Sequence, residues 1–205
     1  MACSKQKYNS GPGRQTTGND TTIVLPGDSA KNILFIGNSL TYFNDLPGKL
    51  IAIGRANGKE IITTMVAYPN YALEDHWNAG RIQTLIATGK FHFVVIQQGP
   101  SSQADGRVML QDYGARIKTL CDQYKSRLAF FMVWPAYANF HTFDGVIKNY
   151  TDAATATRSL LCPVGLRWKN YFLASGDYSF LGPDMFHPSE KGTENAAGII
   201  YETLF

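Results

Sequence analysis

The most informative run of the sequence is ILFIGNSLT, residues 33–41. Its first four residues are apolar and form a run of buried-strand length. Gly37 follows, and because glycine has no Cβ it permits a tight turn. The turn delivers Ser39 at the end of the strand. A serine in this position is most often a helix cap, so the stretch alone predicts a strand and a turn and leaves Ser39 as a candidate functional residue.

Outward from this stretch, apolar runs and helical patterns alternate along the chain. We predict strands over 32–37, 60–67, 91–97, 128–134 and 162–164. We predict helices over 46–57, 71–88 with a break near 79–80, 105–124, 143–161, 166–174, and from Ser189 onward. The alternation implies βαβ crossovers and a mostly parallel sheet with helices on both faces. The predicted fold is a three-layer α/β/α sandwich of about five strands, in one domain over residues 31–205.

Several polar and aromatic residues follow directly on these strands. In open α/β sheets, functional sites lie beyond the carboxyl ends of the strands. The predicted strands end at or just before Ser39, Asn70, Gln98 and Trp134, and His187 follows the last of them. Five segments are therefore expected to converge on one edge of the sheet.

His187 has a partner at an informative spacing, because Asp184 precedes it by three residues. The carboxylate can reach Nδ1 while Nε2 faces Ser39. In such an arrangement histidine takes the serine proton and aspartate orients the histidine. The alternative is that Asp184 only caps a turn before the final helix. The other histidines lack such partners and are more often structural: His76, His92 and His141.

These residues carry a resemblance to a known family. The run GNSL at 37–40 resembles the GDSL block of the SGNH hydrolases, and DMFH at 184–187 resembles their D-x-x-H block. The run QQGPS at 97–101 stands where the family carries a third block, and the element order from 31 to 205 fits as well. The resemblance implies a flavodoxin-like fold and a serine esterase that works through an acyl-enzyme, with the serine, histidine and aspartate in the roles given above.

The resemblance also implies an oxyanion hole, which the family builds from the serine amide, a glycine amide and an asparagine side chain. The amide of Ser39 would be the first donor. Residues 68–73 contain no glycine. Asn70 is the best substitute there, because asparagine tolerates the positive φ that often turns an amide toward a site.

The third block contains no asparagine, and we predict Gln98 as its amide donor, as glutamine serves in some related carbohydrate esterases. Gln97 alternates with Gln98 along the strand and would point to the opposite face, so only one of the two can serve. Ser101 is a further alternative.

Trp134 and Tyr137 follow the fourth strand and are predicted to line an acyl or sugar pocket. The resemblance implies a small ester as substrate, and the glutamine analogy favours an acetyl group on a carbohydrate. Two alternatives stay open. One is a lipase-like or thioesterase-like hydrolase of longer acyl chains, and the other is a non-catalytic glycan-binding relic of the fold.

The composition argues against several other classes. The net charge is +3, and Lys and Arg are scattered along the sequence, without the basic stripe of a nucleic-acid-binding protein. No apolar run approaches the roughly 20 residues of a membrane span. The sequence has neither a metal-ligand pattern nor a glycine-rich phosphate loop, so no metal or cofactor is expected. The three cysteines have no disulfide or zinc spacing, and Cys121 and Cys162 are predicted to be small core residues.

Residues 1–30 are polar and rich in Gly, Ser, Thr and Asn, so they are predicted to form a disordered tether. Cys3 near its start resembles the lipidated cysteine of a mature bacterial lipoprotein. We therefore expect a periplasmic or cell-surface protein, attached to a membrane only through a lipid on Cys3. The alternative is an incidental cysteine on a disordered tail, which leaves a cytoplasmic location open.

Overall fold

A computed structural model describes residues 30–205 as one sheet of five parallel strands with helices on both faces. The strands are β1 (Lys31–Gly37), β2 (Ile61–Ala67), β3 (Phe93–Ile96), β4 (Arg127–Phe131) and β5 (Leu160–Cys162). Their order across the sheet is β2-β1-β3-β4-β5. This is the flavodoxin-like order, whose reversal point lies between β1 and β3. The predicted α/β/α sandwich is confirmed.

Eight helices join the strands in the described part of the chain. They are α1 (Ser39–Tyr42), α2 (Leu46–Ala56), α3 (Leu73–Asn78), α4 (Arg81–Ile86), α5 (Ala104–Gln123), α6 (Phe143–Ala156), α7 (Val164–Ser175) and α8 (Glu190–Leu204). Short 3₁₀ turns cover Phe43–Asp45 and Tyr137–Thr142. The predicted break between α3 and α4 lies at Gly80, which has a φ of 75°. The sequence did not predict α1 or either 3₁₀ turn, because such short elements carry no periodic pattern.

Side-chain caps set the starts of α2 and α8. Asp45 accepts a hydrogen bond from the Gly48 amide at the start of α2 (3.2 Å), and Ser189 accepts one from the Gly192 amide at the start of α8 (3.0 Å). Each residue satisfies an amide that the first turn of a helix would leave unpaired. The two helices pack against each other on one face of the sheet.

The core consists of the strand residues and the helix faces that cover them. Residues 33–36 of β1 and 128–131 of β4 are buried throughout, as expected of strands covered on both faces. The ring of Trp134 follows β4 and stacks on Trp168 of α7 with a centroid distance of 3.7 Å. No helix in residues 30–205 is both long and apolar enough to cross a bilayer.

Two predictions lie outside the described residues. The tether over residues 1–30 falls there except for its last residue, and so does the proposed lipidation of Cys3. Both stay predictions.

Cys121 and Cys162 are fully buried, and burial raises the pKa of each thiol to about 12. Because the thiolate is the reactive form, neither residue should be alkylated by iodoacetamide in the folded protein at mildly alkaline pH. Both should react after unfolding in guanidinium chloride. Peptide mapping by mass spectrometry checks this for each cysteine separately. Equal labelling rates in folded and unfolded protein would show that the packing around these residues is wrong.

Candidate active site

Ser39 is placed by a tight turn at the carboxyl end of β1. Asn38 is the N-cap of α1, and its Oδ1 accepts a hydrogen bond from the Leu40 amide (3.1 Å). A Cβ on Gly37 would lie 2.2 Å from Oγ1 of Thr41, so only glycine fits at this point of the turn. Ser39 is the first residue of the helix, and its N–H therefore has no intrahelical acceptor.

Gln97 supports this turn from beneath. It is buried at the end of β3, where its Oε1 accepts hydrogen bonds from the Asn38 amide (2.9 Å) and the Thr41 hydroxyl (2.8 Å). Its Nε2 donates to Oδ1 of Asn38 (3.0 Å). All of these contacts lie on the protein side of the turn, so Gln97 holds the serine in place and does not line the cleft.

His76 supports the same turn from a second direction. Its Nε2 lies 2.8 Å from the carbonyl oxygen of Gly37. A carbonyl can only accept, so Nε2 carries the hydrogen. Burial lowers the pKa of His76, which keeps the imidazole neutral. Sequence reasoning missed this role, because the partner is a main-chain atom of a distant residue.

Asp184 and His187 complete a line of hydrogen bonds that ends at the serine. Nε2 of His187 lies 3.0 Å from Oγ of Ser39, and Nδ1 lies 2.6 Å from Oδ2 of Asp184. Since a carboxylate accepts at Nδ1, that nitrogen carries the hydrogen, and Nε2 is left to accept from the serine hydroxyl. The three residues that the sequence selected therefore lie together, in the order that nucleophilic catalysis requires.

The loop around Asp184 keeps its carboxylate ionised. Oδ1 accepts hydrogen bonds from the amides of Phe186 (3.0 Å) and His187 (2.9 Å). Burial raises the pKa of Asp184, but the hydrogen bonds from the His187 imidazole and from these two amides outweigh it and place the pKa below its ordinary value. Met185, which follows Asp184 in this loop, adopts a φ of 57°. The backbone is thus wound tightly enough for one carboxylate to hold both the loop and the imidazole.

The predicted roles of Trp134 and Tyr137 need correction. Trp134 is 0 % exposed, and its Nε1 donates to the carbonyl of Phe186 (2.9 Å). Its indole therefore supports the histidine loop from within the core and cannot contact a substrate. Tyr137 is 46 % exposed, but its ring packs on Phe140 and Tyr178, and it does not line the cleft beside Ser39. Its amide donates to the carbonyl of Met185 (2.9 Å), which also holds the loop.

Phe43 and Asn44 join the serine segment to the histidine loop. The ring of Phe43 stacks on the imidazole of His187, with a centroid distance of 4.6 Å and an interplanar angle of 21°. Nδ2 of Asn44 donates to the carbonyl of Pro188 (2.8 Å) and to Oγ1 of Thr193 (3.0 Å). Sequence reasoning missed both residues. The available signal was the Asn44-Asp45 pair, since both side chains tolerate the left-handed φ values of 51° and 54° found here.

A cleft of about 380 Å³ opens beside Ser39. Its lining combines amide, hydroxyl, aliphatic and aromatic groups without a charged side chain: Asn38, Ser39, Leu40, Asn70, Tyr71, Ala72, Gln98, Gly99, Pro100, Ser101, Gln103, Gly106 and Phe186. The cleft lies beyond the carboxyl ends of β1 and β3, where the strand order reverses, which is the expected place for a ligand in this fold.

Asn70 lies in this cleft, at the third position of a turn closed by a hydrogen bond from the Tyr71 amide to the Tyr68 carbonyl (3.3 Å). Pro69 precedes it, and its own φ is 60°. Proline followed by a residue with positive φ is the pattern of a type II turn. Asn70 therefore has the backbone conformation that the sequence predicted, at the rim of the cleft.

Gln98 lines the cleft but has no free donor. Its Nε2 donates to Oγ of Ser101 (2.6 Å) and to the carbonyl of Gly106 (2.9 Å), which uses both amide hydrogens. The hydroxyl of buried Tyr150 donates to the Gln98 carbonyl (2.6 Å) and holds the backbone as well. In this arrangement Gln98 ties the end of β3 to the start of α5, and it could donate to a ligand only after releasing Ser101.

No family model and no curated protein matches the chain. Among solved structures, a protein from Slackia heliotrinireducens assigned to the SGNH hydrolases has 22% identity and a TM-score of 0.72, over 86% of this chain and 100% of that chain. A lipase/acylhydrolase from Enterococcus faecalis has 17% identity and a TM-score of 0.68, over 84% and 94%. A variant of an acetyl xylan esterase from Geobacillus stearothermophilus has 17% identity and a TM-score of 0.65, over 85% and 94%.

Likeness at these identities concerns the fold. The neighbours match nearly the whole described chain, and they share the sheet-and-helix architecture that places Ser39 after β1 and His187 before α8. The chain has the fold of the SGNH hydrolases.

Proposed function

We propose that this protein is a serine ester hydrolase. The observation that carries the proposal is the continuous line of hydrogen bonds from Asp184 through His187 to Ser39, at 2.6 and 3.0 Å, beside an open cleft. The same fold in a lipase/acylhydrolase and in an acetyl xylan esterase supports this reaction class.

The reaction would proceed in two halves. In the first, Oγ of Ser39 bonds to the acyl carbon while its proton passes to Nε2 of His187. The ester C–O bond then breaks, and the alcohol leaves with that proton. In the second half, water attacks the acyl-enzyme and gives a proton to His187. The bond to Oγ breaks, the serine recovers the proton, and the carboxylic acid leaves. Asp184 stabilises the imidazolium that forms in each half.

The negative charge on the tetrahedral intermediate requires donors in the cleft. We assign the Ser39 amide as one donor, since it begins α1 and has no intrahelical acceptor, and the amide of Asn70 as the second. Gln98, the donor predicted from the sequence, would contribute only if the bound ester draws its amide away from Ser101. The arrangement thus supports two donors directly and a third after an exchange of hydrogen bonds.

The lining of the cleft favours a short acyl group on a neutral, hydroxyl-rich alcohol. A volume of about 380 Å³ is at the lower end of the range for small-molecule sites. The side-chain amides of Asn70 and Gln103 suit hydrogen bonding to a sugar better than contact with an alkyl chain. We therefore propose a carbohydrate O-acetyl ester as substrate class.

The reaction class is tested with p-nitrophenyl acetate and a fluorophosphonate probe. Ser39→Ala and His187→Ala should each lower kcat by about 10⁴-fold or more, and Asp184→Asn by less, because the first two residues take part in bond making and proton transfer. Intact-mass analysis should find one probe adduct on the wild type and none on Ser39→Ala. Ser102→Ala is the matched control and should retain full activity. Absence of an adduct on folded wild-type protein would reject the serine mechanism and favour a glycan-binding relic.

The acyl-length preference separates the two esterase classes. Rates with p-nitrophenyl esters should be highest for acetyl and fall toward octanoyl, because the cleft is small and amide-rich. Release of acetate from acetylated xylan oligosaccharides, followed by chromatography, checks the alcohol side. A steep rise in kcat/KM toward octanoyl would contradict the carbohydrate assignment and support a lipase-like or thioesterase-like enzyme.

The stacked ring of Phe43 should matter for activity more than for stability. Phe43→Ala should reduce kcat about 3- to 10-fold, since a stacked aromatic pair contributes roughly 0.5–1.5 kcal/mol to holding the imidazole. Phe43→Tyr should retain activity because it keeps the ring. The unfolding temperature should change little, as Phe43 is 38 % exposed. Leu173→Ala, which removes another exposed apolar side chain, is the control and should leave kcat unchanged.

A further inference from the structure

Basic residues that are scattered in the sequence gather at one edge of the folded sheet. Because all five strands are parallel, the segments that lead into them lie together, at the edge opposite the cleft. Each of these segments brings at least one cation. We call this set the basic edge, and it comprises Lys31, Arg55, Lys59, Lys90, Lys125, Arg127 and Arg158.

We propose that the basic edge docks on an anionic phospholipid membrane surface. The charges are available for such a partner, because none of the seven residues forms an ion pair within residues 30–205. Six of the seven side chains are exposed, and Lys31 is half-buried. Within the described chain, the acidic side chains closest in sequence to these cations are Glu60 and Asp122. Asp122 is already paired with Lys118 (2.5 Å), which leaves Glu60 as the one unpaired acidic side chain beside the described basic edge.

The charge of the described chain is segregated along the strand direction. Residues 30–205 contain 16 Lys and Arg and 14 Asp and Glu. Outside the basic edge, nine basic residues therefore stand against thirteen acidic ones, once Glu60 is counted with the edge. The basic edge is thus positive while the rest of the described chain has a net negative balance, an arrangement that orients a protein on an anionic surface.

The helix dipole explains only part of this pattern. Arg55 lies in the last turn of α2, where a cation is favoured for local reasons. Lys31 and Arg127, however, are the first residues of β1 and β4. Burial, and after it the charge of Lys31, lowers the pKa of the neighbouring His92. Its neutral Nδ1 accepts a hydrogen bond from the Asn32 amide (3.1 Å).

An exposed aromatic ring stands among these charges. Phe205 is 39 % exposed and packs on Phe93, with Nζ of Lys59 5.5 Å from its ring centroid. The guanidinium of Arg127 lies 5.3 Å from the ring of Phe93. Cations around an apolar ring match the level of lipid headgroups, where phosphates meet the acyl boundary.

Two further features favour a membrane over a nucleic acid. Docking through the basic edge leaves the cleft beside Ser39 on the far side, open to substrate. The described chain also enters β1 at this edge, through Ala30 and Lys31. A lipid on Cys3 and a basic surface would each bind weakly alone and stably together.

The test uses the full chain with Cys3→Ser, so that no lipid contributes. Vesicles of phosphatidylcholine alone, or with phosphatidylglycerol, are sedimented with the protein at low and high salt. Binding is expected only with phosphatidylglycerol and should be lost at high salt. The triple variant Lys90→Glu, Lys125→Glu, Arg158→Glu should weaken it by about 100-fold or more. Turnover of p-nitrophenyl acetate and the circular dichroism spectrum should stay unchanged.

The matched control reverses three cations elsewhere: Lys148→Glu, Arg167→Glu and Lys169→Glu. It has the same net charge as the test variant and the same residues 1–29, so it should retain clearly more binding than the test variant. Equal loss in both triple variants would show that net charge alone acts and would overturn the proposal. Equal binding to both vesicle types would do the same. Tighter binding of duplex DNA than of phosphatidylglycerol vesicles at equal salt would assign the basic edge to nucleic acid instead.

Discussion

The site depends on one buried amide. Gln97 accepts hydrogen bonds from the Asn38 amide and the Thr41 hydroxyl, and it donates to the Asn38 side chain. These bonds fix the backbone from the end of β1 into the first turn of α1. Ser39 lies between the two bonded residues, Asn38 and Thr41. A buried amide without partners is costly, so the turn has little freedom to relax. The direction of the serine hydroxyl is thus determined by a side chain at the end of β3, the strand beside β1.

The loop that carries His187 is held in a different way. Its loop is held through main-chain carbonyls, which accept from the Trp134 indole and from the Tyr137 amide. Asp184 adds two hydrogen bonds to the loop amides and one to the imidazole. Because the loop is fixed through its backbone, the identity of Met185 and Phe186 matters less than the left-handed winding that brings Asp184 and His187 together.

Sequence reasoning predicted the strands and the long helices, because each leaves a local pattern. It also predicted Ser39, Asp184 and His187, which stand in recognisable local motifs. It failed where a role depends on a distant partner. Trp134 looked like a pocket residue because it follows a strand, but it packs on Trp168 of a later helix. Gln98 looked like a free donor, but Ser101 and Gly106 occupy its amide. Phe43 had no pattern at all, since its partner is 144 positions away at His187.

The contacts of Asn44 with the Pro188 carbonyl and Thr193 have a consequence for how the protein would lose its active arrangement. The serine follows β1 and begins α1, whereas the aspartate and histidine belong to the loop that precedes α8. The two parts meet at a seam formed by α2, α8 and the segment between α1 and α2. Opening of that seam by a few ångströms would separate nucleophile from base while every strand stayed paired. The site is therefore an interface between two parts of one chain, and it can come apart before the fold does.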